Sequence, residues 1–230
     1  TYQALTGQAS CDDADAGYYV TSAGSTSQTA CSTGSFQPST GQSSCLDADA
    51  GYYVSSTGSA SQYACSSGTY QPFTGQSSCL DADAGYFVST TAATSQTACA
   101  AGTYQPSTGQ ISCLDADAGY YVDTTAATSQ TACAAGTYNP NTGSTTSSAC
   151  IDASAGYYVA SAGSASQTPC SPGTYQPSTG QTSCDDADAG YYVDTTAATS
   201  QTPCAAGTYQ PDTGQSSCLD ADSGYFVDST

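Results

Sequence analysis

Thirteen cysteines are the residues of this 230-residue chain best equipped for chemistry. They stand at Cys11, Cys31, Cys45, Cys65, Cys79, Cys99, Cys113, Cys133, Cys150, Cys170, Cys184, Cys204 and Cys218. Structural zinc needs close pairs such as C-x2-C, and no two of these are closer than 14 positions. What remains is disulfide formation, which persists in oxidising compartments. That places the chain outside the cytosol, secreted or at the cell surface.

The second group with chemical potential is acidic. All 19 charged side chains are aspartates, and the chain has no Glu, Lys, Arg or His. Pairs recur as Asp47/Asp49, Asp81/Asp83, Asp115/Asp117 and Asp186/Asp188 in an Asp-Ala-Asp-Ala-Gly run. Calcium sites open with D-x-D-x-x-G, because a hard cation gathers several oxygens. Here the glycine comes one residue early, no Glu closes a loop, and the copy at Asp152 has Ser154 for its second carboxylate. The plainer reading is a solvated acidic turn; calcium is the one cofactor kept open.

The absences exclude much else. Without His there is no Ser-His or Cys-His pair and no imidazole metal site. Without Lys there is no Schiff base and no phosphate-loop lysine. A net charge of -19 with no cationic side chain excludes a nucleic-acid partner and opposes anionic membranes. No catalytic residue and no enzymatic activity are expected. No apolar stretch approaches the roughly 18 residues that span a bilayer. The start has no charged-then-apolar signal segment and no Met, so the expectation is a processed product or a window of a longer chain.

Serine and threonine make up 37 and 35 residues. Their clusters suit covalent O-glycans, with Thr90, Thr91, Thr94, Thr97, Thr124, Thr125, Thr128, Thr131, Thr195, Thr196, Thr199 and Thr202 as acceptors. N-glycans are excluded, because Asn139 and Asn141 both fail the Asn-x-Ser/Thr pattern.

The elements that position these residues come from one unit, copied. Cysteine spacings alternate 20 and 14, with a single 17 between Cys133 and Cys150, so the period is 34 with one three-residue insertion. Such self-similarity marks an array or solenoid. The repeats run 1–34, 35–68, 69–102, 103–136, 137–173 (with the insertion) and 174–207, followed by a partial one at 208–230. Leu, Ile, Val and Phe total only 18 residues, well under the roughly 20% of an ordinary core. Gly51-Tyr52-Tyr53-Val54 and its copies read as short strands. Thr69-Tyr70-Gln71 before Pro72 reads as a second extended piece, and Thr40-Gly41-Gln42 as a turn. The tyrosines are expected to supply what core there is. The fold class is small disulfide-rich β repeats in an elongated tandem array, with little helix.

The segment Cys31-Ser-Thr-Gly34-Ser-Phe36-Gln37-Pro38-Ser-Thr40-Gly41-Gln42-Ser-Ser-Cys45 has the form C-x-x-G-[TS]-[YF]-Q-P-x-T-G-Q-x-S-C. It resembles the ephrin-receptor-like cysteine-rich repeat, a relative of tumour-necrosis-factor-receptor-like repeats, over a little under half of each unit. The resemblance implies a bridge between the segment's outer cysteines. The implied pairs are Cys31–Cys45, Cys65–Cys79, Cys99–Cys113, Cys133–Cys150, Cys170–Cys184 and Cys204–Cys218, with Cys11 bonded to a cysteine before Thr1. Pairing across the longer spacing, which strands Cys218 instead, is the alternative. The family's next cysteine is replaced at Ala14, Ala48, Ala82, Ala116, Ala153, Ala187 and Ala221, so its second bridge is absent.

Units too small to bury a core alone draw stability from neighbours and bridges. The expected function is a structural extracellular fibre, stapled by disulfides, coated with glycans and self-associating into filaments. The alternatives are the stalk of an adhesin or receptor and a calcium-binding surface layer.

Overall fold

The computed structural model describes residues 1–227; the last three residues of the partial repeat at 208–230 lie outside them. Backbone contacts divide the chain into two compact units. One holds Thr1–Ala100, Tyr104–Leu114 and Thr125–Thr128; the other holds Ala101–Thr103, Asp115–Thr124 and the chain from Ser129 onward.

Both are built from the same hairpin. In the first unit β1 (Tyr18–Tyr19) pairs antiparallel with β2 (Thr29–Ala30), and then β3 (Ser35–Phe36) pairs with β4 (Leu46–Asp47). The pattern continues to give twenty-four two-residue strands among the described residues, each bonded only to its neighbour along the chain. A glycine in a tight turn precedes each opening strand, and in the disulfide-closed hairpins a proline two residues after the strand ends it. The one helical piece described is a 3-10 turn at Ser147–Ala149, inside the inserted loop of the fifth repeat.

The structural step is half the sequence repeat. Successive hairpins in the first unit open at Tyr18, Ser35, Tyr52, Thr69 and Tyr86, each half a period after the last. The glycine before each donates its N–H to the next hairpin: Gly17 to Gln37 O, Gly34 to Val54 O, Gly51 to Gln71 O and Gly68 to Val88 O, at 2.7–2.8 Å. The second unit repeats the rule from Gly119 to Asn139 O, Gly156 to Gln176 O and Gly173 to Val193 O. A further set reaches back, as Gly58 N–H to Cys31 O and Gly75 N–H to Ala48 O, both 2.8 Å. Gly51 shows why glycine is required. Its φ is 85°, where a Cβ is strained, and a Cβ would also meet the backbone carbonyl of Ala92.

The core is not tyrosine, as the sequence suggested, but two series of small or mid-sized side chains. In the first unit Ala14, Cys31, Ala48, Cys65, Ala82 and Cys99 are 0–1% exposed, alternating Ala and Cys at the same half-period step. Val20, Gln37, Val54, Gln71, Val88 and Gln105 form the other series, at 0–8%. The second unit has the same two series: Ala116, Cys133, Ala153, Cys170 and Ala187, then Val122, Asn139, Val159, Gln176 and Val193. Most tyrosines are half-buried, lying over the turns; the Tyr18 hydroxyl sits against Gly58, for example. Close approach of backbones leaves no room for rings in the interior, so the rings cover it from outside.

Buried glutamine is satisfied locally. Gln71 Nε2 donates to Ser78 O at 2.8 Å, and its Oε1 accepts from Phe73 N–H at 3.2 Å. The longer loop of the fifth repeat changes the solution. Asn139, fully buried, donates Nδ2 to Tyr120 O at 2.9 Å and to Ser144 Oγ at 2.8 Å. No described buried side-chain polar atom lacks a partner, as a polar interior demands.

Candidate functional site

The chemistry of the chain is concentrated in the clips that close each hairpin. Alternate hairpins are closed by disulfides: Cys31–Cys45, Cys65–Cys79, Cys99–Cys113, Cys133–Cys150, Cys170–Cys184 and Cys204–Cys218. Their Cα–Cα separations are 5.8 Å, and 5.5 Å for Cys133–Cys150, inside the usual range for a bridge. The three-residue insertion is absorbed within the Cys133–Cys150 loop. Cys11 is exposed and unbridged among the described residues.

The intervening hairpins use a different clip, which the sequence reading missed. Half a period after Cys31 and Cys45 come Ala48 and Gln62. Gln62 Oε1 accepts from Asp49 N–H at 2.7 Å, and its Nε2 donates to the Asp49 carboxylate at 2.6 Å. The same bidentate clip joins Gln28 to Asp15, Gln96 to Asp83, Gln130 to Asp117 and Gln201 to Asp188. In the fifth repeat Gln167 accepts from Ser154 N–H alone, serine having no carboxylate to answer the amide. A sequence signal did exist: glycine recurs at every half-period from Gly17 through Gly34, Gly51, Gly68, Gly85, Gly102, Gly119 and Gly136.

The clips decide where the acidic pairs go. Asp49, Asp83, Asp117 and Asp188 each hold a glutamine amide. Asp47, Asp81 and Asp186 lie instead against Gly75, Gly109 and Gly214, and Asp115 occupies the matching strand position, after Leu114. The two members of a pair thus face different neighbours. Among the described residues no three His, Cys, Asp or Glu side chains converge to hold a metal ion.

The twelve threonines expected to carry glycans all lie exposed, on the loops after the Tyr-Tyr or Tyr-Phe strands or at the start of the strand that follows. These loops carry Ala92, Ala126 and Ala197 at φ 54–56°, where the other hairpins of this type have Gly24, Gly58 and Gly163. The Tyr175 hydroxyl is raised above the ordinary 10.0, by burial first and then by the Asp188 and Asp185 carboxylates. Among the described residues no helix is long and apolar enough to cross a membrane.

Residues 85–133 and 156–204 match the family described as tyrosine-protein kinase ephrin type A/B receptor-like. These stretches are ephrin-receptor-like repeats. Each match spans one disulfide-closed hairpin, Cys99–Cys113 or Cys170–Cys184, flanked by two glutamine-clipped ones. No curated protein matches the chain. Disulfide-rich ephrin-receptor-like repeats are extracellular modules of a structural or stalk-like kind and are typically non-catalytic. The other disulfide-closed hairpins of this chain share their strand pairing and, except for Cys133–Cys150 with its longer loop, their bridge spacing.

Proposed function

We propose that the chain is a stretch of an extracellular structural fibre that self-associates into filaments and carries O-glycans on its threonine loops. The observation that carries this reading is the regular alternation of covalent and hydrogen-bonded clips, along hairpins that within each unit bond to their successors in the same way. Nothing in such a chain depends on a unique constellation, as catalysis would; every hairpin does the same mechanical task. Each disulfide closing a loop of this size contributes about 3 kcal/mol in the chain-entropy model. Six of them replace much of the hydrophobic stabilisation that 18 branched aliphatic or Phe residues cannot supply.

Self-association has to overcome like charge, because the net charge is -19 with no basic side chain to neutralise it. Screening over roughly 10 Å at 0.1 M salt removes most of that repulsion. Light scattering on non-reduced protein across a salt series tests the proposal. Growth of large species with rising salt supports the fibre. A species of monomer mass at every salt concentration refutes self-association and favours the stalk, which needs only one chain. Glycopeptide mass spectrometry tests the coat: sugar on Thr90–Thr97, Thr124–Thr131 and Thr195–Thr202 is expected, and unmodified peptides there refute it.

A further inference from the structure

We propose that the grooves beside Cys45, Cys79 and Cys184 bind an uncharged carbohydrate chain. The groove beside Cys79 has a volume of about 320 Å³ and is lined by Tyr53, Ala64, Ser66, Thr69, Ser78 and the disulfide-bonded Cys79. The groove beside Cys184, in the other compact unit, measures about 280 Å³ and is made by Tyr158, Ser171, Thr174, Ser183 and Cys184, the same positions of the repeat. A third, of about 480 Å³, lies beside Cys45, with Tyr19, Ser32, Ser35 and Ser44 in the matching places. Ligand sites commonly occupy roughly 300–1,000 Å³; the grooves stand at the lower end of that range or just below it, sized for a short stretch of chain.

The lining selects the ligand. In a chain with 19 aspartates, not one carboxylate borders any of the three grooves. A cationic ligand would find its partners elsewhere, and an anionic one meets the overall field of the protein. What the grooves do offer is a half-buried tyrosine ring and a cluster of hydroxyls. A sugar ring presents the complementary surface: an apolar C–H face that lies on an aromatic ring, and hydroxyls that both donate and accept. Thr69 Oγ1 donates to Ser66 O, and Thr174 Oγ1 donates to Ser171 O, each at 2.8 Å, which fixes one edge. The exposed Ser66, Ser78, Ser171 and Ser183 hydroxyls make no hydrogen bond to the described residues, so both functions of each are open to a ligand.

The chain supplies its own control. The position of Ser32, Ser66 and Ser171 is held by Ala100, Ala134 and Ala205 in the other repeats. Alanine there is compatible with the fold, so its introduction removes a ligand contact without disturbing the hairpin.

The test is titration of the full chain with maltohexaose, cellohexaose and chitohexaose. Tyrosine emission serves as the readout, since no Trp masks it. Saturable binding of at least one of the three is expected, at a strength that low and high salt leave unchanged. In the variant carrying Ser32→Ala, Ser66→Ala and Ser171→Ala, affinity falls about tenfold, the equivalent of one lost hydrogen bond per site. Ring-proton broadening in the unmodified chain should fall on Tyr19, Tyr53 and Tyr158. The proposal is overturned by no saturable response to any of the three sugars, by binding that the alanine variant retains, by binding that salt abolishes, or by broadening confined to other tyrosines.

Discussion

If hairpins are equivalent at every half-period, a disulfide should be transplantable from one type to the other. Ala48 stands one step after Cys31, and both are 0% exposed; Gln62 stands one step after Cys45. The double substitution Ala48→Cys with Gln62→Cys should therefore form a bridge across the hairpin Tyr52–Ala64, with the same sequence separation of 14 as its neighbours. Closing a loop of this size is worth about 3 kcal/mol. Against it stands the loss of the Gln62 clip, two solvent-facing hydrogen bonds of roughly 0.5–1.5 kcal/mol each. The net gain is about 0–2 kcal/mol. Because long repeat arrays open locally rather than all at once, the assay is amide hydrogen exchange, not a global melting curve. The Cys65 N–H, bonded to Gly51 O at 2.8 Å, reports on the base of this hairpin. Its protection should rise roughly fivefold for a mid-range gain of about 1 kcal/mol, at about 1.4 kcal/mol per factor of ten. Two free thiols under oxidising conditions, or a bridge that lowers protection at Cys65, would refute the equivalence of the two hairpin types. The companion Gln62→Ala variant, clip removed and no bridge added, should lower protection there by about 1–3 kcal/mol.

Three further outcomes follow from the backbone and from one side chain. Gly51→Ala should disrupt its hairpin by more than about 3 kcal/mol, because a left-handed φ and a clash with Ala92 O add; local exchange in residues 49–65 checks it, and near-native protection contradicts it. Ala92→Gly relieves a left-handed alanine at φ 54°; the gain of about 1 kcal/mol is partly offset by glycine's unfolded-state entropy, leaving a net rise of roughly 0.5 kcal/mol in hairpin protection, and lowered protection contradicts it. The Tyr175 hydroxyl titrates above its unfolded value, so the fold is favoured while this group is protonated. Its stabilising contribution is complete below the unfolded pKa and is lost as pH rises through the higher folded one. Ultraviolet titration of tyrosinate should show a high-pH component that Tyr175→Phe removes; an unchanged curve contradicts the assignment.

Much of this architecture is legible in the residues because cysteine and glycine tolerate few readings. The cysteine period, the short strands at Tyr52–Tyr53 and Thr69–Tyr70, and the likeness to ephrin-receptor-like repeats all follow from them. The half-step escaped because the two halves solve the same packing problem with unlike chemistry. Cysteine and alanine share one buried position, and valine and glutamine share the other; a reading by residue type sees no repeat there. Only volume and backbone hydrogen bonding reveal the equivalence. The tyrosines misled for a related reason: an aromatic side chain is the usual core of a sparse fold, but hairpins this close leave the interior to small side chains. The glutamine clip went unread because the second aspartate of each pair meets a glutamine thirteen positions away, far along the chain and adjacent only once the hairpin closes.

Electron microscopy of the purified, non-reduced protein decides between a self-associating fibre and a single-chain stalk. Filaments are expected whose axial repeat corresponds to a whole number of sequence repeats, with extra density at the loops bearing Thr90, Thr124 and Thr195. Isolated particles of single-chain size, under conditions that screen the aspartates, would contradict the fibre.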